Sequence, residues 1–433
     1  MNMIERGRRF VERLRALAKR SAYDWRRCPR CGSTWTRKNG GYYRYPWRLW
    51  GREQVRVQRH WCALCRRTYG EENPGLPWKA WYGREVQRQA VDGWMHLRSS
   101  LRRVAEWVRS GIGRQERWGQ WCICEEQEPE GEGQARRCGL SASTVHRWLA
   151  RAGAKAQEQV AGQLAGVACS GQMGSDGLWA RLRQGSQRVL LVLMDSVTGV
   201  VWAVKVVAEE ESRQGWAALL TCAEQGGLLL SELRGLTSDG AQGLLSYLRQ
   251  ALSGVHHQRC VWHFWRTLAA DLAQAVAKAV AGLAQEAART VGPQVRAELI
   301  ALLHAVLDAS NHEQAEQALQ QLRAHPWGTR IAQKVNEQFD RLLYHRLESH
   351  RGLLRVGPEW LWRDFRLRLS HGRNHGSEQR LERAGLLWLI YHNLTPAQKR
   401  VERKRHYKHP GQSPLEVAGA DPGPISYLDA LEV

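Results

Sequence analysis

The 433-residue chain contains no apolar run approaching the roughly 18 to 20 residues a bilayer span requires, which excludes a membrane-spanning helix. Its first residues, Met1 to Arg20, carry seven Arg or Lys and no apolar core of signal-peptide length. Export is therefore not expected, and a reducing cytoplasm is. In that setting the ten cysteines are thiols or metal ligands. Acid is also short: 42 Asp and Glu against 64 Lys and Arg leave a net charge of +22 and an isoelectric point near 10.1, so a polyanion is the natural partner. What is present is enough apolar sequence, 43%, for real cores, and length for about three domains at ~150 residues each. The charge is local. Residues 1–110 hold 26 basic against 9 acidic side chains, or +17, which leaves only +5 for the rest.

That basic region carries Cys28-Pro29-Arg30-Cys31 and Cys62-Ala63-Leu64-Cys65. Two Cys-x-x-Cys knuckles let four thiolates close a tetrahedron around Zn2+, and the Tyr-, Trp- and Arg-rich stretch Tyr42 to Arg59 between them has the alternation of a β-hairpin. A zinc ribbon with a structural ion is expected, because four protein ligands leave no position for substrate. Arg44, Arg48, Arg52, Arg56 and Arg59, interleaved with Trp47, Trp50 and Trp61, are candidates for phosphate contacts, which give affinity without reading sequence. A solvated charged face is the competing view.

Leu101 to Val108 has helical spacing of apolar residues, and Gly139 to Leu149 reads as a short helix capped by serine. Together they predict the halves of a helix-turn-helix, with Ser143, Thr144, His146 and Arg147 facing a DNA groove. An acidic, Gly/Pro-rich insertion, 110–137, interrupts them, and Cys122, Cys124 and Cys138 are read there as packing thiols.

From about Val167 the texture changes. Met173 to Trp179, Arg188 to Met194 and Val200 to Val207 predict three successive strands, the last two joined by a turn at Asp195-Ser196-Val197-Thr198-Gly199. Glu211 to Gln225 follows as a helix, Leu233 to Gly240 as a strand ending in an acid, Ala241 to Leu252 as a helix, His256 to Val261 as a strand and His263 onward as a helix. This order, with an acid on the first strand and another ending the fourth, is the ribonuclease-H-like pattern. Residues 265–355 are Ala-, Leu- and Gln-rich and predict an all-α insertion interrupted near Gly292-Pro293 and Pro326-Trp327-Gly328. The expected fold is multidomain α+β. Basic arm and zinc ribbon occupy 1–80, the helix-turn-helix region 81–160, and the first part of an α/β core with a mixed five-stranded sheet 161–264. The helical insertion (265–355), the end of the core (356–400) and a basic C-terminal tail (401–433) follow.

Asp176, Asp239 and Glu378 are the candidate catalytic carboxylates. Hard oxygen donors from separate elements meeting at a sheet edge suit Mg2+ or Mn2+, because such ions take few protein carboxylates and keep positions for phosphate and water. Asp195 competes for the first position, though its setting fits a hairpin turn better. Glu382 competes with Glu378 one helical turn on, with Asn374 favouring Glu378.

These motifs resemble the DDE transposases of bacterial insertion sequences, in particular those related to the mutator-like (MULE) group, which carry a helical insertion before the last acid. The resemblance runs over most of the chain: the knuckles, the helix-turn-helix, Ser-Asp-Gly around Asp176, Thr-Ser-Asp-Gly around Asp239, Cys260-Val261-Trp262-His263, Asn374-x-x-x-Glu378, and the end around Tyr391-His392-Asn393 and Ser413 to Gly419. His375 stands where many relatives carry a second Asn, and the helix-turn-helix is interrupted. The resemblance implies an enzyme that binds the ends of its element, cuts them and joins them to target DNA by metal-assisted phosphoryl transfer. Asp176, Asp239 and Glu378 would hold Mg2+ or Mn2+, and His263 would lie near the scissile phosphate. Cys260 is left open between half a metal knuckle and a buried thiol. Double-stranded DNA is the implied partner, a homodimer or higher homo-oligomer the expected assembly, and the prokaryotic cytoplasm and nucleoid the expected location. Two other readings use the same residues: a transposase-derived DNA-binding regulator without catalysis, and a nuclease without strand transfer.

Overall fold

The computed structural model describes residues 26–71, 76, 80–97, 99–112, 139–160, 164–210, 212–362, 365, 376–396, 409, 411–422 and 426–431. The arm Met1 to Arg20, Cys122 and Cys124 of the acidic insertion, Cys138 just after it, Asn374, His375 and the basic run Lys399 to Lys408 lie outside the described residues.

At the N-terminal end, β1 (Thr36–Arg44) runs antiparallel to β4 (Val55–Cys62), with Thr36 opposite Cys62, and β5 (Thr68–Gly70) adds to the other side of β4. The connection between β1 and β4 makes a second small ribbon from β2 (Trp47–Arg48) and β3 (Gly51–Arg52). The long interval between the two knuckles is therefore mostly paired strand, and the register carries one knuckle back to the other.

Three helices follow: α1 (Arg84–Leu97), α2 (Leu101–Gly111) and α3 (Ala142–Val160). The first of these is not anticipated by the sequence reading. Ser100 caps α2 by accepting from the Arg103 amide at 3.3 Å, and Ser141 accepts from the Thr144 amide at 3.3 Å, so both starts are set locally. Their apolar stripes (Ala90, Val91 and Trp94; Val104 and Val108; Val145, Trp148 and Ala152) share one buried core with the helix near the chain's end described below.

The central sheet is five-stranded and mixed, as expected. β6 (Gln172–Arg181), β7 (Gln187–Asp195) and β8 (Val201–Val207) form an antiparallel meander; β9 (Gly235–Ser238) pairs parallel with β6, and β10 (His256–Arg259) parallel with β9. The order is β10-β9-β6-β7-β8. On β7, Leu190, Val192 and Met194 face the core shared with the N-terminal helices, while Val189, Leu191 and Leu193 face α4 (Arg213–Gly226) and α5 (Gln242–Ala251). Burial on both faces is why this strand reads as an unbroken apolar run rather than an alternating one.

The all-α insertion comprises α6 (Val261–Val280), α7 (Gln285–Leu307), α8 (His312–Ala324), α9 (Thr329–Glu337) and α10 (Phe339–Leu343), packed around their own core of Leu268, Leu299, Leu303, Leu322, Ile331 and Val335. The break expected at Gly292-Pro293 is not there: α7 continues through Pro293. An interior proline costs a helix about 3 kcal/mol. Burial of Gly292, Val295, Leu299 and Leu303 along the same helix offsets that cost, whereas the Pro326 break separates α8 from α9 as expected.

α11 (Glu378–Leu394), capped by Ser377, lies across the sheet at very short range, since a Cβ on Gly385 would sit 3.2 Å from Leu190 and 3.3 Å from Val204. Its other side meets α3 just as closely: a Cβ on Gly153 would be 2.9 Å from the Arg383 carbonyl oxygen. Beyond it, the short helices α12 (Pro414–Val417) and α13 (Tyr427–Ala430) return to the cores, where the Tyr427 hydroxyl donates to Asp92 (2.8 Å) and Arg88 pairs with Asp429 (2.7 Å). Among the described residues no helix is long and apolar enough to cross a membrane.

Candidate active site

Asp176 is placed on β6 opposite Val192, in the middle of the sheet, and only 7% of it is exposed. Asp239 follows the last residue of β9, on the strand next to β6. Residues 352–362, which return from the insertion, lie over the same region: Leu354 and Pro358 pack on Gly174, two residues from Asp176, and the Thr237 hydroxyl donates to the Leu354 carbonyl at 2.6 Å. Glu359 is thereby delivered to the cluster. Its Oε1 lies 3.1 Å from Cys260 Sγ and 3.2 Å from His263 Nδ1, at the start of α6. One sheet, one strand end, one helix start and one returning loop thus supply the groups.

The electrostatics show how closely they act. Burial, then the charges of Glu359, Asp239 and Glu210, push the Asp176 carboxyl up to about 8, with His263 opposing. Burial lowers His263, but its contact with Glu359 and the charges of Asp176 and Asp239 outweigh that, so its pKa is raised. Burial and Glu359 push the Cys260 thiol up to about 12, so it stays a protonated donor to the Glu359 carboxylate. A buried acid driven toward neutrality by neighbouring acids is a site that lacks positive charge, and a divalent cation among these oxygens would reverse the shift.

Asp176, Asp239 and His263 therefore lie within electrostatic reach of one another. Glu378 is placed elsewhere. It opens α11, half-exposed, and pairs with Arg188 at 2.6 Å. Arg188 stands opposite Ala180, four residues along β6 from Asp176, or about 13 Å at the usual strand rise. The competitors are also accounted for. Asp195 accepts from the amides of Ser170, Val197 and Thr198 and from the Ser170 hydroxyl, which is the work of a turn residue. Glu382 pairs with Lys205 at 2.9 Å and accepts from the Val206 amide. Glu359 and Glu210 were missed by sequence reading. The only signal for Glu359 is that it follows Gly357-Pro358, the punctuation at the end of the insertion.

The four knuckle cysteines converge. Cys28 and Cys65 sulfurs are 3.6 Å apart, Cys31 and Cys62 likewise, and all four ligand atoms lie within 4.8 Å of one another. A tetrahedral Zn–S bond of about 2.3 Å puts sulfurs about 3.8 Å apart, so the donor set and spacing fit zinc. Local turns aim them: the Gly32 amide donates to the Cys28 carbonyl with Gly32 at φ +68°, and the Cys62 amide donates to Arg67. Backbone donors at Cys65 and Leu64 and the sulfur of Cys31 lower the Cys62 thiol to about 7.

The candidate DNA contacts divide. Arg48 is buried and bonded to Glu53 (2.8 Å) and Glu85 (3.0 Å), tying the ribbon to α1, so it is not presented to a phosphate; like-signed guanidinium spacing along a ribbon does not reveal which one turns inward. Arg44 donates to the Ala80 carbonyl and Arg52 to that of Tyr45, while Arg56 is exposed on β4. On α3, Ser143 and Arg147 are exposed one turn apart, and Arg147 also donates to Thr144 at 3.2 Å. His146 faces inward toward Arg380, and burial followed by that charge lowers its pKa.

No individual curated protein matches the chain. Residues 201–351, from β8 through the insertion and including Asp239, Cys260 and His263, match the model of the family described as Transposase, Mutator family, and in that stretch the chain is similar to those enzymes.

Proposed function

We propose that the protein is a transposase that binds the ends of its insertion sequence and carries out metal-dependent DNA cleavage and strand transfer, with Asp176, Asp239 and Glu359 as its carboxylates. The observation that carries this is the convergence of these acids with His263 around a buried Asp176 whose neighbours push it toward neutrality. The strand order β10-β9-β6-β7-β8 supports a ribonuclease-H-like core, and the family match over 201–351 supports a mutator-type enzyme.

The carboxylates fit Mg2+ or Mn2+, since oxygen donors from separate elements, one of them a carboxyl raised by burial and then by acidic neighbours, suit a hard cation that keeps positions for phosphate and water. When bound, such ions activate an attacking oxygen and stabilise a leaving one. The chain's own residues would then hold the substrate: His263, whose contact with Glu359 favours its protonated form, would face the phosphate, and the buried Cys260 thiol holds the Glu359 carboxylate from behind. Zinc in Cys28, Cys31, Cys62 and Cys65 stabilises a ribbon whose exposed Arg56, together with Ser143 and Arg147 of α3 acting as a recognition helix, grips the duplex.

End-DNA cleavage and joining by purified protein with Mg2+ or Mn2+ tests the reading. Asp176→Asn, Asp239→Asn and Glu359→Gln are expected to abolish both steps while DNA binding survives, and Glu378→Gln to stay active. A dead Glu378→Gln beside an active Glu359→Gln would return the third position to Glu378. Binding without any metal-dependent cleavage indicates the regulator, and cleavage without joining the nuclease.

A further inference from the structure

Asp239 sits in a turn, 238–241, whose backbone is fastened on itself: the Gly240 amide donates to Ser238 Oγ at 3.1 Å and the Ala241 amide to Asp239 Oδ1 at 3.1 Å. Gly240 is at φ +86°, a backbone conformation that an L side chain rarely adopts. Behind it lies a buried chain of hydrogen bonds that the cleavage chemistry does not use. His257 of β10 places Nε2 2.7 Å from Ser238 Oγ, and its Nδ1 receives Arg341 of α10, with Nη2 at 2.5 Å and Nε at 3.2 Å.

We propose that Arg341, His257 and Ser238 form a positioning chain through which the all-α insertion sets the carboxylate of Asp239 for metal binding. This rests on the transposase reading for its consequence in DNA cleavage.

The direction of every bond in the chain follows from its members. A guanidinium has donors only, so His257 Nδ1 accepts and the ring's single proton is on Nε2, where it donates to Ser238 Oγ. Ser238 Oγ then accepts twice, from His257 and from Gly240, and cannot rotate away without stranding a buried donor. Ser238 is itself fully buried, and its carbonyl accepts from the Cys260 amide at 2.7 Å, so the strand end has little freedom. The ring stays neutral: burial, then the charges of Arg341 and Arg259, hold its pKa well below the usual histidine value.

Stability alone does not account for this arrangement. Burial and the charges of Arg259 and Arg249 pull the Arg341 pKa down, with Tyr344 opposing, which marks a like-charged corner. An apolar pair of similar volume would pack the β10 edge at least as well. What the polar chain adds is a fixed orientation one residue from a candidate metal ligand. Groups that orient ligands in this way typically contribute about 10- to 100-fold in metal affinity or activity.

The test uses the full-length protein with Ser238→Ala, His257→Phe, His257→Gln, Arg341→Met and the double variant Ser238→Ala/His257→Phe. Mn2+ binding is titrated by electron paramagnetic resonance, with Asp176→Asn defining the site, and the metal concentration for half-maximal DNA cleavage is measured beside it. Ser238→Ala and His257→Phe are expected to raise both midpoints by about 10-fold with DNA affinity unchanged. His257→Gln, which keeps an acceptor toward Arg341 and a donor toward Ser238, should recover to within about 3-fold of the parent. The double variant should be no worse than its worse single member, because both break one chain. Unchanged Mn2+ and cleavage midpoints in the two single variants, whatever their melting temperatures, overturn the proposal, as does additive loss in the double. If the parent cleaves no DNA, the transposase reading fails while the Mn2+ arm still decides the chain. Absence of a site lost in Asp176→Asn also overturns it.

Discussion

Among the described residues two clusters of metal-ligand type stand out, and they are built in opposite ways. The Cys28–Cys31–Cys62–Cys65 set comes from two tight turns joined by one antiparallel pair, so that the register of β1 against β4 is enough to assemble it. The Cys260–His263–Glu359 set, with Asp176 and Asp239 in its electrostatic reach, comes from a helix start and a loop that returns after four further helices, beside a meander strand and a parallel strand end. The first closes within the ribbon and the second closes only when the whole sheet and the insertion are in place. Local chemistry therefore governs one and topology the other, and damage to each should spread differently.

The largest effect is expected at the local cluster. Cys62→Ser removes one of four ligands, and the free energy of a structural zinc is folding free energy for a ribbon with so small an apolar core. Zinc content should fall from about one ion per chain to near zero, and residues 26–71 should lose protection from hydrogen exchange while β6 to β10 keep theirs. Full zinc content in this variant would remove the assignment.

At the topological cluster, the acid pushed to about 8 makes stability depend on pH without added divalent cation. A carboxyl raised in the folded state binds its proton more tightly there than when unfolded. Its stabilising contribution is complete below the unfolded value near 4 and is lost as pH rises through about 8. The parent's melting temperature should therefore fall between pH 5 and about 8.5, and Asp176→Asn should flatten that fall and gain a few degrees at the upper end. Equal slopes for both proteins would show that burial and the neighbouring acids do not raise the Asp176 carboxyl.

Gly153→Ala probes the joint between the N-terminal helices and the core. The new methyl would press on the Arg383 backbone at 2.9 Å, and overpacking of this kind costs about 1 to 3 kcal/mol. Chemical denaturation should show that loss with zinc content unchanged; a neutral result would mean that α3 and α11 slide apart freely. The smallest effect on the fold is expected from Arg147→Ala, on the exposed side of α3. Stability should be unchanged, and the slope of log affinity for duplex DNA against log salt should become shallower by about one unit. An unaltered slope would take Arg147 out of the DNA surface.

Legibility in the sequence followed the same division. The knuckles were readable because zinc ligation needs one residue type at a spacing set by a short turn. The hairpin reading of Tyr42 to Arg59 held because alternating residues in a strand face alternate sides. The succession of strands along the chain was readable from apolar runs and turn residues, and the positions of Asp176 on the first of them and Asp239 at the end of the fourth followed from it. Arg48 was misplaced because five similar guanidinium groups differ only in which meets a carboxylate, and Glu53 and Glu85 decide that from another element. Pro293 misled because local helix breaking was weighed without the insertion core that holds α7 together.

The sequence by itself determined the two knuckles, the basic N-terminal quarter, the β-β-β-α-β-α-β order and the positions of Asp176 and Asp239 in it, because each rests on periodicity, charge or short spacing. Only the tertiary structure placed Glu359, and not Glu378, beside His263 and built the hydrogen-bond chain behind Asp239. Glu359 and Glu378 both follow the helical stretch, and the local signal, Asn374 four residues before Glu378, favours Glu378. The choice falls to the path of 352–362 over Gly174, which brings Glu359 against His263, and to Arg188, which holds Glu378 at the other end of the sheet. Contacts between residues this far apart in the chain depend on how the sheet is covered, and that is a property of packing rather than of any segment.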